Sequence, residues 1–379
     1  MTHQDVQNLF EAHPNADDFL TARRLEDTIG LCLSGGGYRA MLYHAGALKR
    51  LNDIGALPRI AEFASVSGGS ITAGMLACAW PRLQFDKAGA CTNLETEVIT
   101  PLSSFAKITV DVPAILIGFL PGLAAADRIA AAYDSHLFHG AGLQDLPDSP
   151  RFTFMATNLQ TGSGWRFAKA YAADFRVGQI VRPRFGLAHV VAASSAFPPF
   201  LSPLRFSFAG HAVEATEGAD LHRPPFTRGA VLTDGGVYDN LGLERVWKRC
   251  RTVLVSNAGR TVPEIGRPTG RWFGQAYRTV NIVLQQAENS RRRILFGMGN
   301  LGQREVAYWS IDTPNSHYGT VAANALSDEG SRRAAATPTR LARLADDEIA
   351  LLLRAGYENC RASLHARVFL LGKLPQRPK

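Results

Sequence analysis

Apolar and polar positions change period several times along this chain, and the clearest changes fall between residues 29 and 80. Ile29 to Leu33 is a short apolar run stopped by Ser34-Gly35-Gly36-Gly37, the pattern of a buried strand ended by a turn. From Tyr38 to about Ile54 the residues Met41, Leu48 and Leu51 fall on one side of a helix, and Gly55 is placed to stop it. A second apolar run, Ala61 to Val66, meets Ser67-Gly68-Gly69, and Ile71 to Trp80 is again helical in composition. Strand, helix, strand, helix in this order predicts a parallel sheet with a right-handed crossover.

The same criteria carry through the rest of the chain. Arg151 to Thr157 is a predicted strand, with Trp165 to Ala168 as its hairpin partner across the turn at 158–164. Leu187 to Ala196 is a small-residue helix closed by Phe197-Pro198-Pro199-Phe200, and residues 209–229 form a long loop. Short strands follow at Ala230–Thr233 and Arg251–Ser256. A long helix from about Arg271 to Phe296, an edge strand at Val306–Ile311 and a closing helix pair from Leu341 to Arg367 complete the series. No internal repeat or flexible linker is visible, so an N-terminal arm (1–27) and one domain (28–370) are expected. The segment Ile108–Ala126 is the most apolar part of the chain, interrupted by Asp111, Pro113 and Pro121. It fits a buried helix pair, or a lid or monotopic membrane-touching surface, better than a transmembrane span.

Composition narrows the class. Of 379 residues, 46% are hydrophobic and 20% charged, which predicts a folded globular protein. The net charge of +8 favours anionic partners, nucleic acid or an anionic membrane surface. Arg291-Arg292-Arg293 is the only tight basic run, so nucleic-acid binding is not expected. The five cysteines are an odd number without C-x-x-C spacing, which argues against a zinc site or a disulfide framework and for a reducing compartment. The polar, acidic N-terminus does not resemble a signal peptide, and a cytoplasmic location is expected.

Both early turns carry candidate chemistry. Gly35, Gly36 and Gly37 allow positive φ and let N–H groups converge where a helix dipole adds to the field, a site for a phosphate or a developing oxyanion. Ser65-Val66-Ser67-Gly68-Gly69 differs by one residue from G-x-S-x-G, which places a serine on a tight strand-to-helix turn. Ser67 is therefore the candidate nucleophile, and Gly68 the small neighbour the turn needs. Gly35-x-Gly37-x-x-Ala40 also satisfies a dinucleotide fingerprint, although neither Asp53 nor Glu62 stands where its acidic partner belongs. A nucleophilic serine needs a base. His44 and His189 both lie inside helices, and Asp234, after a strand and before two glycines, is the better candidate.

Taken together, these segments resemble the patatin-like phospholipase family. The matching residues are Gly35-Gly36-Gly37-Tyr38-Arg39-Ala40, Ser65-Val66-Ser67-Gly68-Gly69 and Asp234-Gly235-Gly236, in the family's order, with supporting blocks ATNLQTG at 156–162, AASSAFPPF at 192–200 and DGGVYDNLGLE at 234–244. SGGGYRAM at 34–41 is also similar to the related cytosolic phospholipase A2 group. Ser65 and Ala40 stand where the family pattern has glycine.

The resemblance implies a three-layer α/β/α fold with a central, mostly parallel sheet. It further implies a Ser67–Asp234 dyad without histidine and an oxyanion loop at Gly35, Gly36 and Gly37. No cofactor or metal is needed. The activity implied is that of a lipid acyl hydrolase of the phospholipase A or lysophospholipase kind, acting on phospholipid or another acyl-ester lipid at a membrane surface. The protein would be cytoplasmic, peripheral on the inner face. Arg39 is either an ion-pair strut for the loop or a cation for phosphate, with the strut favoured. A soluble carboxylesterase and an idle lipid-binding module remain as alternatives.

Overall fold

The computed structural model describes residues 25–111, 125–259, 261–318 and 326–366. Its frame is a ten-stranded sheet. The strands are β1 (Glu26–Leu33), β2 (Ile60–Val66), β3 (Arg151–Asn158), β4 (Ser163–Ala168), β5 (Tyr171–Asp174), β6 (Gly178–Val181), β7 (Leu204–Ser207), β8 (Gly229–Asp234), β9 (Cys250–Asn257) and β10 (Glu305–Ser310). They lie in the order β10-β9-β1-β2-β3-β4-β5-β6. From β10 to β3 every neighbour is parallel, and from β3 to β6 every neighbour is antiparallel. β8 pairs antiparallel with β3, and β7 with β8.

The α-helices of five or more described residues are α1 (Gly37–Asp53), α2 (Gly68–Ala79), α3 (Thr100–Phe105), α4 (Ala125–Tyr133), α5 (Leu187–Ser194), α6 (Leu243–Trp247), α7 (Trp272–Asn300), α8 (Asp328–Ala336) and α9 (Asp346–Ala366). Side-chain alternation along the central strands decides how they stack. Leu31, Leu33 and Phe63 turn toward one face and pack with Met41, Leu48, Ile71, Leu76 and Leu352 of α1, α2 and α9. Cys32, Ala64, Val253 and Val255 turn the other way, against Leu243, Val246 and Trp247 of α6 and Leu295 of α7. Helices therefore cover both faces of the sheet, giving the expected three layers.

Several expectations change. The closing helix pair is a single helix, α9, running through Gly356. A Cβ at Gly356 would stand 1.8 Å from the Tyr43 carbonyl oxygen, so this glycine marks a close crossing of α1 and not a break. β5, β6 and β7, each four residues long, were not legible because such short runs show too little alternation. β1 begins at Glu26, so the end of the expected arm (1–27) belongs to the sheet, and residues 1–24 lie outside the described residues.

Of the apolar segment at 108–126, residues 112–124 also lie outside them. Its flanks Val110, Asp111 and Ala126 are buried, and Arg340 Nε meets Asp111 Oδ2 at 2.9 Å. No helix among the described residues is long and apolar enough to cross a membrane.

Candidate active site

Sheet register brings Ser67 and Asp234 together. β2 lies along one edge of β3 with Val66 opposite Met155, and leaves the sheet there. β4 occupies the other edge of β3 through Asn158. The edge that β2 vacates is taken up by β8, whose last residue, Asp234, lies opposite Ala156. The C-terminal ends of β2 and β8 thus meet head to head along β3. Ser67, the residue after β2, faces the aspartate that ends β8, and its hydroxyl lies near enough to favour the charged form of the Asp234 carboxylate.

Each residue is held in place locally. Ser67 has φ 52 and ψ −121, a strained backbone that a non-glycine residue adopts only where its surroundings enforce it. Enforcement comes from Gly68, where a Cβ would stand 2.1 Å from the Gly37 carbonyl oxygen, and from the Ser67 N–H, which donates to Ser194 Oγ at 3.0 Å. Asp234 is only 4% exposed. Burial pushes its carboxyl up to about 6, against the nearby Ser67 hydroxyl and the Gly236 N–H, which stabilise the charge. The Gly236 N–H donates to Asp234 Oδ1 at 2.7 Å.

The glycine loop follows β1, whose Leu33 pairs with Ser65 of β2, so it lies directly beside the serine turn. A Cβ at Gly35 would be 3.2 Å from Ser67 Cβ. The three glycines are not equivalent. The Gly35 N–H donates to the Asn240 carbonyl at 3.1 Å, which corrects the expectation that all three present free donors. Gly36 (φ 143) and Gly37 (φ 61) keep N–H groups without an acceptor among the described residues. Both α1 and α2 start at this point, so two helix N-termini converge on the serine.

Arg39 is 2% exposed and donates from Nε to the Ala258 carbonyl at 3.0 Å and from Nη1 to the Thr337 carbonyl at 2.8 Å. This geometry ties α1 to the end of β9 and leaves no exposed guanidinium for a phosphate.

The histidines are occupied elsewhere. His44 is fully buried between Ser256 Oγ, 2.8 Å from Nδ1, and the Ser34 carbonyl, 2.9 Å from Nε2. The carbonyl can only accept, so Nε2 carries the proton, and burial lowers the imidazole to about 4. His44 thus anchors the residue before the glycine loop as a neutral ring. His189 is exposed on α5. The acidic residues of the dinucleotide fingerprint are also committed: Asp53 accepts from the Tyr357 hydroxyl, and Glu62 is buried among arginines.

Sequence patterning missed two residues. Ser194 accepts from the Ser67 N–H through Oγ, donates from Oγ to the Met155 carbonyl at 2.6 Å, and accepts the Gly235 N–H on its backbone carbonyl at 3.1 Å. One residue therefore braces both the serine and the aspartate turns. Asn240 accepts the Gly35 N–H on its backbone carbonyl, and its side-chain amide donates to Glu288 Oε2 at 2.8 Å. Both lie inside blocks that the sequence marks, AASSAFPPF and DGGVYDNLGLE, but hydroxyl and amide side chains give no periodic signal.

A family model described as Patatin-like phospholipase matches residues 31–247. No curated protein matches the chain. Among solved structures, human GIVD cytosolic phospholipase A2 is similar with a TM-score of 0.54 at 15% identity, over 96% of this chain and 64% of that one. The same human protein in complex with methyl gamma-linolenyl fluorophosphonate gives a TM-score of 0.52 at 14% identity, over 91% and 58%. The chain thus spans less than two thirds of the human protein, and at these identities the likeness is one of fold.

Proposed function

The chain belongs to the patatin-like phospholipase family, and from that membership we propose that it is a lipid acyl hydrolase using a Ser67–Asp234 dyad. One observation carries the proposal: a serine held in a strained strand-to-helix turn faces, across the end of β3, a buried carboxylate whose affinity for protons is raised to about 6. An unperturbed aspartate near 3.9 is a weak base at neutral pH. Burial moves Asp234 toward the range where a base both stays ionised and accepts a proton readily.

The reaction proceeds in two halves. Asp234 takes the Ser67 proton as Oγ bonds to the ester carbonyl carbon, and the N–H groups of Gly36 and Gly37 receive the resulting oxyanion. Collapse breaks the bond to the alcohol, which leaves with the proton from Asp234, and the acyl group stays on Ser67. A water then gives a proton to Asp234 and attacks the acyl carbon. The carboxylic acid departs and the proton returns to Ser67. Arg39 braces the loop, and Gly68 allows the turn to pass close to it.

Phospholipid or another acyl-ester lipid is the substrate class, with phospholipase A or lysophospholipase action at a membrane surface. The inhibitor in the human structural neighbour, a fluorophosphonate with a fatty-acyl-like tail, supports the choice of probe. A fluorophosphonate should label Ser67 covalently, and Ser67→Ala should abolish both labelling and ester hydrolysis. Labelling that persists at Ser70 or Ser195 would overturn the assignment.

A further inference from the structure

Helix α7 is long, and among the described residues only its second half packs against the sheet. Glu288 sits at the C-terminal end of β9, where Oε1 accepts from Asn257 Nδ2 and Oε2 from Asn240 Nδ2, both at 2.8 Å. Beyond Glu288 the helix descends along the sheet, with Leu295 buried and Phe296 packed edge-on against Tyr308 at 5.4 Å. It ends before β10, which starts beside Thr252 near the opposite edge of the sheet. The stretch from Trp272 to Ala287 must therefore stand above the C-terminal edge, the edge that carries Ser67 and Asp234. At 1.5 Å per residue that overhang is about 24 Å long. Residues 261–271 run back along it: Gln285 Oε1 accepts from the Val262 N–H at 3.0 Å, and Arg278 Nη2 donates to the Pro263 carbonyl at 3.1 Å.

The overhang is apolar where a free surface is usually polar. Trp272 is 81% exposed and Phe273 56%, and Tyr277, Val280, Ile282 and Val283 are exposed too, as is Ile265 on the returning segment. Phe273, Tyr277, Val280 and Leu284 follow helical spacing, so they form a stripe. Around the tip stand Arg267, Arg271 and Arg278, with Glu264 the one acidic residue between 261 and 287.

We propose that this overhang docks the protein on an anionic lipid bilayer, holding the Ser67 edge against the surface from which the substrate comes. The proposal rests on the lipid-hydrolase reading above and names the surface that reading needs. Aromatic rings settle at the boundary between headgroups and acyl chains, and arginines beside them meet the anionic headgroups. A second copy of the chain fits less well. A two-fold interface would set Arg267, Arg271 and Arg278 against their own copies with only Glu264 to pair.

The full chain supplies its own probe, because Trp165, Trp247 and Trp309 are buried and Trp80 is partly buried while Trp272 is not. Mixed vesicles of phosphatidylcholine and phosphatidylglycerol should shift its emission to the blue, brominated lipid should quench it, and added salt should reverse both. Trp272→Phe should remove the response and retain binding. Phe273→Asp with Val280→Asp should weaken vesicle binding at least tenfold while leaving melting temperature, Ser67 labelling and hydrolysis of a water-soluble short-chain ester unchanged. Absence of quenching in the wild-type protein overturns the proposal. So does a wild-type dimer that the aspartate variant turns into a monomer, because the partner is then a second copy. Failure of Ser67 labelling with vesicle binding intact instead rejects the dyad and leaves the docking surface standing.

Discussion

At Asp234 one burial has two effects of opposite sign. The proposed mechanism needs the carboxylate, so kcat/KM on a soluble ester should rise as pH passes upward through about 6 and then level off. Stability runs the other way. In the folded state the group holds its proton up to about 6, and in the unfolded chain only to about 3.9. The folded state therefore binds the proton more tightly, and stability is lost as pH rises from about 4 to about 6. Above that range the buried charge costs on the order of 3 kcal/mol. Asp234→Asn should be inactive, yet at pH 8 it should melt above the wild type, with the gap closing toward pH 4. Thermal denaturation at the two pH values checks this, and a variant that melts lower at pH 8 would mean that the carboxylate is held by partners stronger than Ser67 and Gly236. Ser67 and Asp234 were legible in the sequence because glycine-flanked turns after short strands leave a local mark. Ser194 and Asn240 left no periodic mark: each acts through polar contacts between segments far apart in the chain.

Among the elements, the loop between β1 and α1 depends most on its backbone. Gly36 has φ 143, a region closed to side chains, and a Cβ there would stand 3.1 Å from Ala40 Cβ and 3.2 Å from the Ala258 carbonyl oxygen. Gly36→Ala must rotate this peptide, moving an N–H that in the proposed mechanism meets the oxyanion. A fall in kcat of roughly a hundredfold is expected, the scale of losing one oxyanion donor, with KM much less affected. Steady-state kinetics on a soluble ester separates the two constants, and an unchanged kcat would remove Gly36 from the oxyanion site. Of the strands that the sequence made legible, which include β4 and β10, the five that position this loop and the dyad are β1, β2, β3, β8 and β9. They are apolar on both faces and end in turn residues. β5, β6 and β7 lie outward of β3 or on its far side, where short strands carry too few residues to show a period. The exposed stripe on α7 was legible only as a helix, because periodicity reports an apolar face and not what covers it.

On the scale of the whole molecule, the two edges of the sheet divide the work. The proposed chemistry lies at the C-terminal edge, with the overhang of α7. Near the N-terminal edge Glu62, fully buried, meets Arg245 Nε at 2.8 Å and Arg151 Nε at 2.9 Å, and accepts from Thr153 Oγ1 at 3.2 Å. Glu26 joins the cluster through Arg151 at 2.9 Å and Arg249 at 2.6 Å. Arg151, Arg245 and Arg249 also line a cleft of about 1290 Å³, which includes none of the dyad or loop residues. This cluster ties β1, β2 and β3 to α6, so it holds the register on which the meeting of β2 and β8 depends. Removing Glu62 leaves Arg245 without its carboxylate, while Arg151 and Arg249 keep Glu26, so a loss of about 3 kcal/mol is expected, the low end for breaking a buried pair. Glu62→Gln should lose stability on that scale in urea denaturation at neutral pH, because Arg151 and Arg245 would face an amide in place of a charge. The folded fraction should keep its kcat/KM, since no atom of the dyad or of the glycine loop touches Glu62. A variant that keeps its stability and loses its activity would show that the two edges are coupled, and that the register at β3 responds to charge at its start.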